Sequence, residues 1–171
     1  MRSALPSATV LVFAALLAAC GGTQASDATH RRAPAFEAQD QHGETRRLSE
    51  FAGKVVVLYF YPRDATPGCT TEACAFRDAW DRFEEAGAVV VGVSTDDVEA
   101  HRAFAEEHEL PFPLLADPSE SIAEAYGVPV RMGYAKRMTF LIDGDGVIRR
   151  VFEDVDPGVH ADEVLAAISE L

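Results

Sequence analysis

The chain has 171 residues, of which 48% are hydrophobic, so it is long and apolar enough for one packed domain of ordinary size. Its formal net charge of -13 excludes nucleic acid and anionic membrane surfaces as partners, because contacts to phosphate groups need Lys and Arg. This balance is typical of a soluble protein that resists association.

The N-terminus carries the pattern of a secretion signal. Arg2 supplies a short positive segment, and the apolar stretch at residues 8–19 is too short to cross a bilayer as a stable helix. The stretch closes with the letters LAAC, ending at Cys20, and two glycines follow, which resembles a bacterial lipobox. Residues 1–19 are then a lipoprotein signal peptide and Cys20 is acylated. The alternative is an ordinary secretory signal with an incidental cysteine.

A lipid anchor predicts a location in the cell envelope, on the periplasmic side. Residues 20–33 are polar and indicate a lipidated flexible tether, and residues 34–171 carry the folded domain. Gly22 stands where an Asp would signal retention in the inner membrane, so resemblance to lipoproteins of Gram-negative bacteria favours the outer membrane. The anchor is the only membrane contact that we expect.

The cysteine count fits this compartment. The chain has three cysteines, and if Cys20 is consumed by lipid, Cys69 and Cys74 are the remaining pair. The envelope is oxidising, so a disulfide between two thiols can persist there.

Hydrophobic periodicity predicts an alternation of strands and helices along residues 34–171. The predicted elements are a small hairpin (35–38 and 45–48), a helical turn (49–53), a core strand (54–60), a helix that ends at Gly87, a buried strand (88–93), a helix to about His108, a short strand (114–116), a helix that ends at 126–127, a loop, two strands joined by a tight turn (138–142 and 147–152) and a closing helix (160–171). This order predicts an α/β domain with a central mixed β-sheet flanked by helices.

Cys69 lies where a loop becomes the first turn of a helix. Pro62 ends the preceding strand, Pro67-Gly68 marks a tight turn, and the helical pattern begins at Thr70. The free N–H groups and the positive end of the helix dipole stabilise a thiolate at this position. A lone cysteine at a helix start is more often an inert small hydrophobe, so the interpretation as a reactive thiol depends on the second cysteine at 74, the preceding Thr-Pro-Gly and Arg137 downstream.

The residues around Cys69 resemble a known family. The run Tyr-Pro-x-x-x-Thr-Pro-Gly-Cys-Thr-x-Glu-Ala-Cys spans 61–74 and is similar to the peroxidatic-cysteine motif of bacterioferritin-comigratory, or PrxQ-type, peroxiredoxins. The resemblance extends from about Ala33 to Leu171. It implies a thioredoxin-like fold, no cofactor, a thiol peroxidase that reduces hydrogen peroxide and organic hydroperoxides, a thioredoxin-like or small-thiol reductant, and a monomer.

The resemblance also implies roles for individual residues. Cys69 is the peroxidatic nucleophile, and Arg137, which precedes the strand at 138–142, is the cation that stabilises its thiolate and the leaving oxygen. Thr66 hydrogen-bonds the peroxide and the sulfur through its hydroxyl. Pro62 shields the thiolate and shapes the pocket without proton chemistry.

Cys74 is the candidate that resolves the sulfenic acid formed on Cys69. On a regular helix, a spacing of five residues separates the two Cα atoms by roughly 8–9 Å. A disulfide needs a separation below about 7 Å. We therefore expect the first turns of the helix to unwind before Cys69 and Cys74 join.

Other residues receive simpler interpretations. We expect salt-bridge or surface roles for Arg63, Glu72, Arg77 and Asp78. The histidines are placed on loops or solvated faces with no ligand spacing to the cysteines, which predicts no metal site; they are His30, His42, His101, His108 and His160.

Two alternatives to a peroxidase remain. A membrane-tethered copper-binding chaperone with a thioredoxin fold would use the cysteine pair and a distal histidine, with His160 as the nearest candidate. An envelope thiol-disulfide oxidoreductase would need a Cys-x-x-Cys motif, which this chain lacks.

Overall fold

The computed structural model describes residues 29–171. The predicted signal peptide, Cys20 and the first part of the predicted tether lie outside the described residues. The last part of that tether is fastened to the domain, because the backbone N–H groups of His30 and Ala33 donate to the carbonyls of Ile148 (2.7 Å) and Gly146 (2.9 Å). Within the described part, no helix is long and apolar enough to span a bilayer.

Strands and helices alternate through the described residues. The strands are β1 (Glu37–Gln39), β2 (Thr45–Arg47), β3 (Val55–Phe60), β4 (Ala88–Ser94), β5 (Leu114–Ala116), β6 (Val130–Arg131), β7 (Tyr134–Ala135), β8 (Met138–Ile142) and β9 (Ile148–Phe152). The helices are α1 (Pro67–Asp78), α2 (Trp80–Glu85), α3 (Val98–His108), α4 (Ser121–Tyr126) and α5 (His160–Ile168), and a 3-10 turn spans Leu48–Phe51.

The central sheet is mixed, as predicted. Its strand order is β5-β4-β3-β8-β9. Strands β3, β4 and β5 run parallel, whereas β8 is antiparallel to β3 and to β9. This is the thioredoxin-like arrangement that the sequence analysis expected.

Strand β3 is buried on both faces, which explains its continuous β-branched and aromatic composition. Alternate side chains point to opposite sides, so Val57 and Tyr59 join a core with α1, α2, α3 and α5, whereas Leu58 and Phe60 join a second core with α4. Each such fully buried apolar side chain contributes about 1.5–3 kcal/mol. The sheet is therefore a rigid base for the loop that follows β3.

The structure differs from the prediction in three places. The helix expected to reach Gly87 is interrupted at Ala79, whose φ of -98° and ψ of 8° separate α1 from α2. Residues 72–86 contain neither Gly nor Pro, so their composition carries no signal for the break. The small β6–β7 hairpin lies where a loop was expected, because two-residue strands have no periodicity to detect. Asp117-Pro118 also predicts the capped start of the helix that ends at 126–127, but α4 begins four residues later, at Ser121, although the carboxylate of Asp117 does accept from the N–H groups of Ile122 and Ala123.

Candidate active site

Cys69 is the third residue of α1, in the first turn as predicted. Thr66 is the N-cap residue in extended conformation, and Pro67 occupies the first helical position, where a missing N–H costs nothing. The first helical hydrogen bond runs from the N–H of Thr70 to the carbonyl of Thr66 (2.9 Å). The N–H groups of Gly68 and Cys69 precede that bond, so they have no partner within the helix.

Arg137 contacts the sulfur of Cys69. Its Nη2 lies 3.2 Å from Sγ of Cys69, and Cys69 is only 2% exposed. The sheet explains how residues so far apart in sequence meet: Phe60, at the end of β3, pairs with Met138, at the start of β8. The loop after β3 and the residue before β8 therefore lie side by side.

Arg137 also donates from Nη1 to the carboxylate of Glu72, which is fully buried. Burial opposes the charge of Arg137, but the attraction of Glu72 and Cys69 outweighs it and raises the pKa of the guanidinium. One cation is thus held between a thiol and a carboxylate in a low-dielectric site. This geometry favours negative charge on the sulfur and near it.

Glu72 departs from its sequence interpretation. The salt bridge is present, but the side chain is in the core rather than at the surface. Its spacing of three residues after Cys69 and four before Phe76 places it on the buried face of α1, which is the signal that could have found it. Burial raises the pKa of Glu72 to about 7, against the opposing attraction of Arg137. Its Oε1 and the hydroxyl of Tyr59 are buried without a hydrogen-bond partner among residues 29–171.

Thr66 and Pro62 lie on the loop between β3 and α1. The hydroxyl of Thr66 donates to the carbonyl of Arg63 (3.0 Å), so its oxygen retains lone pairs that can accept a hydrogen bond. Pro62 is half-buried and borders a cavity of about 540 Å³. The other residues that line this cavity are Pro129, Arg131, Tyr134, Ala135 and Lys136.

A buried polar network that the sequence analysis missed holds this loop. The carboxylate of Asp64 accepts from the hydroxyl of Tyr61 (2.7 Å) and lies 2.7 Å from Nδ1 of His101, and the N–H of Asp64 donates to Asp96 (2.9 Å). These contacts fix the chain two residues before Thr66, and the intervening Ala65 has a positive φ of 54°. The network therefore positions Thr66 relative to Cys69.

The placement of histidines on loops or solvated faces is wrong for His101 and His160. Both are fully buried. His101 lies on the face of α3 that also buries Phe104 and Ala105, so its helical spacing could have shown this. Nε2 of His160 lies 2.8 Å from the hydroxyl of Thr139, and burial lowers the pKa of His160. In residues 29–171, no three His, Cys, Asp or Glu side chains converge to hold a metal ion.

Cys74 is half-buried and, like Cys69, is a free thiol. Helix α1 is continuous through both cysteines. The five-residue spacing on this helix is too long for a disulfide without a change of backbone, as the sequence analysis reasoned. The geometry therefore represents the reduced protein with α1 fully wound.

Replacing Thr66 by Val is expected to lower the rate constant of Cys69 with hydrogen peroxide about tenfold. The substitution keeps the shape but removes the hydroxyl that the motif resemblance assigns to hydrogen-bonding the peroxide, and one such bond is worth about 1.4 kcal/mol. Stopped-flow single-turnover kinetics measures this constant. The matched control is Thr71→Val, since the hydroxyl of Thr71 also donates to a backbone carbonyl, that of Pro67, but is exposed. Equal rates for Thr66→Val and the wild type would contradict a role for this hydroxyl.

The chain is similar to proteins of known name over most of its length. Residues 29–151 match the AhpC/TSA family. The chain is 45% identical over 145 residues to the putative peroxiredoxin bcp of Coxiella burnetii, covering 81% of this chain and 96% of that relative. It is 45% identical over 141 residues to the chloroplastic peroxiredoxin Q of Populus jackii, of which it spans 66%. The crystal structure of peroxidoxin BcpB from Mycobacterium tuberculosis has a TM-score of 0.79 at 40% identity, covering 84% of this chain and 97% of that one.

The fold is thioredoxin-like and carries a cysteine in the first turn of a helix, and the relatives are named peroxiredoxins. These findings define the class of protein as thiol peroxidases. The chain belongs to the AhpC/TSA family and, within it, to the peroxiredoxins of the Bcp/PrxQ type. These comparisons do not favour the alternative of a copper-binding chaperone.

Proposed function

We propose that the chain reduces hydrogen peroxide and organic hydroperoxides through Cys69, and that Cys74 resolves the oxidised cysteine as an intrachain disulfide. The observation that carries the proposal is the 3.2 Å contact between Nη2 of Arg137 and Sγ of Cys69 at the N-terminus of α1. A thiolate is the nucleophile in peroxide reduction, and a cation and a helix N-terminus both favour it over the thiol.

In the first step the thiolate of Cys69 attacks one peroxide oxygen. A sulfur–oxygen bond forms, the oxygen–oxygen bond breaks, and the leaving alkoxide or hydroxide takes up a proton to become an alcohol or water. Arg137 is placed to stabilise the negative charge that moves onto the leaving oxygen. The oxygen of Thr66 accepts from the peroxide O–H, since its own proton is given to Arg63. Pro62 forms a wall that limits access of water to the sulfur.

The cavity beside Pro62 supports organic hydroperoxides as substrates. Its volume of about 540 Å³ leaves room for an alkyl group next to the site. In the second step Cys74 attacks the sulfenic sulfur of Cys69 and releases water. A thioredoxin-like protein or a small thiol then reduces the disulfide.

The location is part of the same proposal. Acylation of Cys20 would tether the domain to the periplasmic side of the envelope, with the outer membrane favoured by Gly22. There the enzyme would act as a monomer that protects the envelope from oxidants. The net charge of -13 keeps the domain itself off anionic lipid, so the anchor would be its only membrane contact.

The test is the oxidation state of each sulfur after one equivalent of hydrogen peroxide, measured by mass spectrometry on the mature protein. The wild type is expected to form a Cys69–Cys74 disulfide within seconds, and Cys74→Ser is expected to stop at a sulfenic acid on Cys69. Cys69→Ser serves as the unreactive blank. Unreacted thiols in the wild type would contradict the proposal, and a Cys74→Ser protein that turns over normally with a thioredoxin-type reductant would contradict the role of Cys74.

A further inference from the structure

The last turn of α1 is fastened to the end of α3. Nη1 of Arg77 donates to the backbone carbonyl of His108, the last residue of α3, at 2.8 Å. Nε of the same guanidinium donates to the carboxylate of Asp78 (2.9 Å), so the side chain is held in one orientation. The neighbouring Phe76 is fully buried, and its ring packs against Phe83. Phe76 and Arg77 therefore have contacts outside their own helix.

Cys74 lies on the same side of α1 as Arg77, one turn earlier. The hydrogen bond to Asp78 is the largest influence that raises the pKa of Arg77, and attraction to Cys74 and to Glu109, which follows α3, adds to it. Cys74 thus belongs to the anchored half of the helix.

The first half of α1 is held differently. Arg137 donates to the sulfur of Cys69 and to the carboxylate of Glu72. In the proposed reaction the Cys69 thiolate becomes a neutral sulfenic acid, which weakens the attraction between the sulfur and Arg137. Gly68, Thr70 and Thr71 have low helix propensity and make this half a poor helix. Unwinding after oxidation is therefore favoured at the start of α1 and opposed at its end.

We propose that Arg77 is a positioning residue for the resolving step: its bond to the carbonyl of His108 keeps the last turn of α1 wound, so that unwinding stops near Cys74 and delivers this thiol to Cys69. The inference rests on the proposed function, because it requires the disulfide. Without the anchor, unwinding spreads past Cys74, and the thiol samples a larger volume before it meets its target.

The resolving step needs only the two cysteines, and its atoms and protons balance. Cys74 loses its proton, and the thiolate attacks the sulfur of the Cys69 sulfenic acid. The sulfur–sulfur bond forms as the sulfur–oxygen bond breaks, and the departing hydroxide takes up the proton as water. A late arrival of Cys74 gives a second peroxide time to oxidise the sulfenic acid to a sulfinic acid. Loss of the anchor therefore has two measurable consequences.

The test compares Arg77→Met, which keeps the apolar stem but cannot donate, with Arg77→Lys, which keeps a donor. Rapid-quench mass spectrometry on the full chain follows sulfenic acid and disulfide separately after addition of hydrogen peroxide. In Arg77→Met, peroxide is expected to oxidise Cys69 at a rate within twofold of the wild-type rate. The disulfide is expected to form about tenfold more slowly, and sulfinic acid is expected to accumulate on Cys69. Arg77→Lys is expected to recover most of the disulfide rate.

The matched control is Arg82→Ala. Arg82 is an exposed arginine that forms an ion pair with Asp162 (2.7 Å) instead of donating to the carbonyl of His108. The Arg82→Ala protein is expected to form the disulfide at the wild-type rate. This result would exclude a general effect of removing a positive charge.

Hydrogen exchange of the disulfide form adds a readout that the rates do not give. The peptide covering 75–79 is expected to stay protected in the oxidised wild type and to exchange at least tenfold faster in oxidised Arg77→Met, with equal protection in the reduced proteins. The proposed role of Arg77 is overturned if folded Arg77→Met forms the disulfide at the wild-type rate, or if peptide 75–79 exchanges equally fast in the two oxidised proteins. Absence of any Cys69–Cys74 disulfide in the wild type overturns the proposed function instead.

Discussion

Replacing Arg137 by Ala is expected to lower the rate constant of Cys69 with hydrogen peroxide about 10³-fold, equivalent to about 4 kcal/mol of transition-state stabilisation. Nη2 of Arg137 donates to Sγ of Cys69 at a site from which water is largely excluded. The same charge faces the thiolate before the reaction and the leaving oxygen during it. Stopped-flow measurement of the first oxidation, with the resolving step kept separate, gives the constant directly.

The control must separate chemistry from folding. Removing Arg137 alone leaves Glu72 as a buried unpaired carboxylate, which by itself destabilises a protein by about 3–5 kcal/mol. The double variant Arg137→Met/Glu72→Gln removes both charges, and it is expected to fold but to react as slowly as Arg137→Ala. Arg137→Lys keeps the charge but lacks the planar guanidinium, and its rate constant with hydrogen peroxide is expected to lie between those of the wild type and Arg137→Ala. A folded double variant that reacts within tenfold of the wild type would show that Arg137 does not provide the main stabilisation.

The central part of the fold was predictable because its signals are local and strong. Strand β3 is apolar at every position, and Pro62 and Pro67-Gly68 mark the only loop that can follow it, so the position of Cys69 at a helix start could be deduced from composition. The break at Ala79 could not, since helix-forming residues lie on both sides of it.

The electrostatics of the site were harder to predict because they depend on contacts between distant segments. Arg137 came from a motif resemblance, and the pairing of β3 with β8 supplies the physical reason for its place. Glu72 was expected to have a salt-bridge or surface role and His101 to lie on a loop or solvated face, yet both are buried, each with a partner that the sequence does not reveal, Arg137 for one and Asp64 for the other. Helical spacing identifies the buried face, but only the structure identifies the partner.

Glu72 is expected to make the reduced protein less stable as the pH rises from about 4.5 to 7. Its pKa is about 7 in the folded protein, against an ordinary value of 4.5, so the folded state binds the proton more tightly than the unfolded state does. The stabilising contribution is then complete below pH 4.5, falls as the pH rises and is lost above pH 7. The two values are about 2.5 pH units apart, and at about 1.4 kcal/mol per unit the free energy of unfolding changes by about 3 kcal/mol.

Urea unfolding of the reduced wild type and of Glu72→Gln, at a series of pH values from 4.5 to 7.5, measures this contribution as a difference. His160 acts in the opposite direction, because burial lowers its pKa, but it is present in both proteins and cancels. Glu107→Gln, at an exposed carboxylate on α3, is the matched control and is expected to follow the wild type. Parallel stability curves for the two proteins in urea would mean that Glu72 stays ionised beside Arg137, and that the ion pair rather than burial determines its charge.

The same proton also affects disulfide formation. Unwinding of α1 returns Glu72 to water and releases its proton. Disulfide formation is therefore expected to become more favourable as the pH rises over this range in the wild type but not in Glu72→Gln.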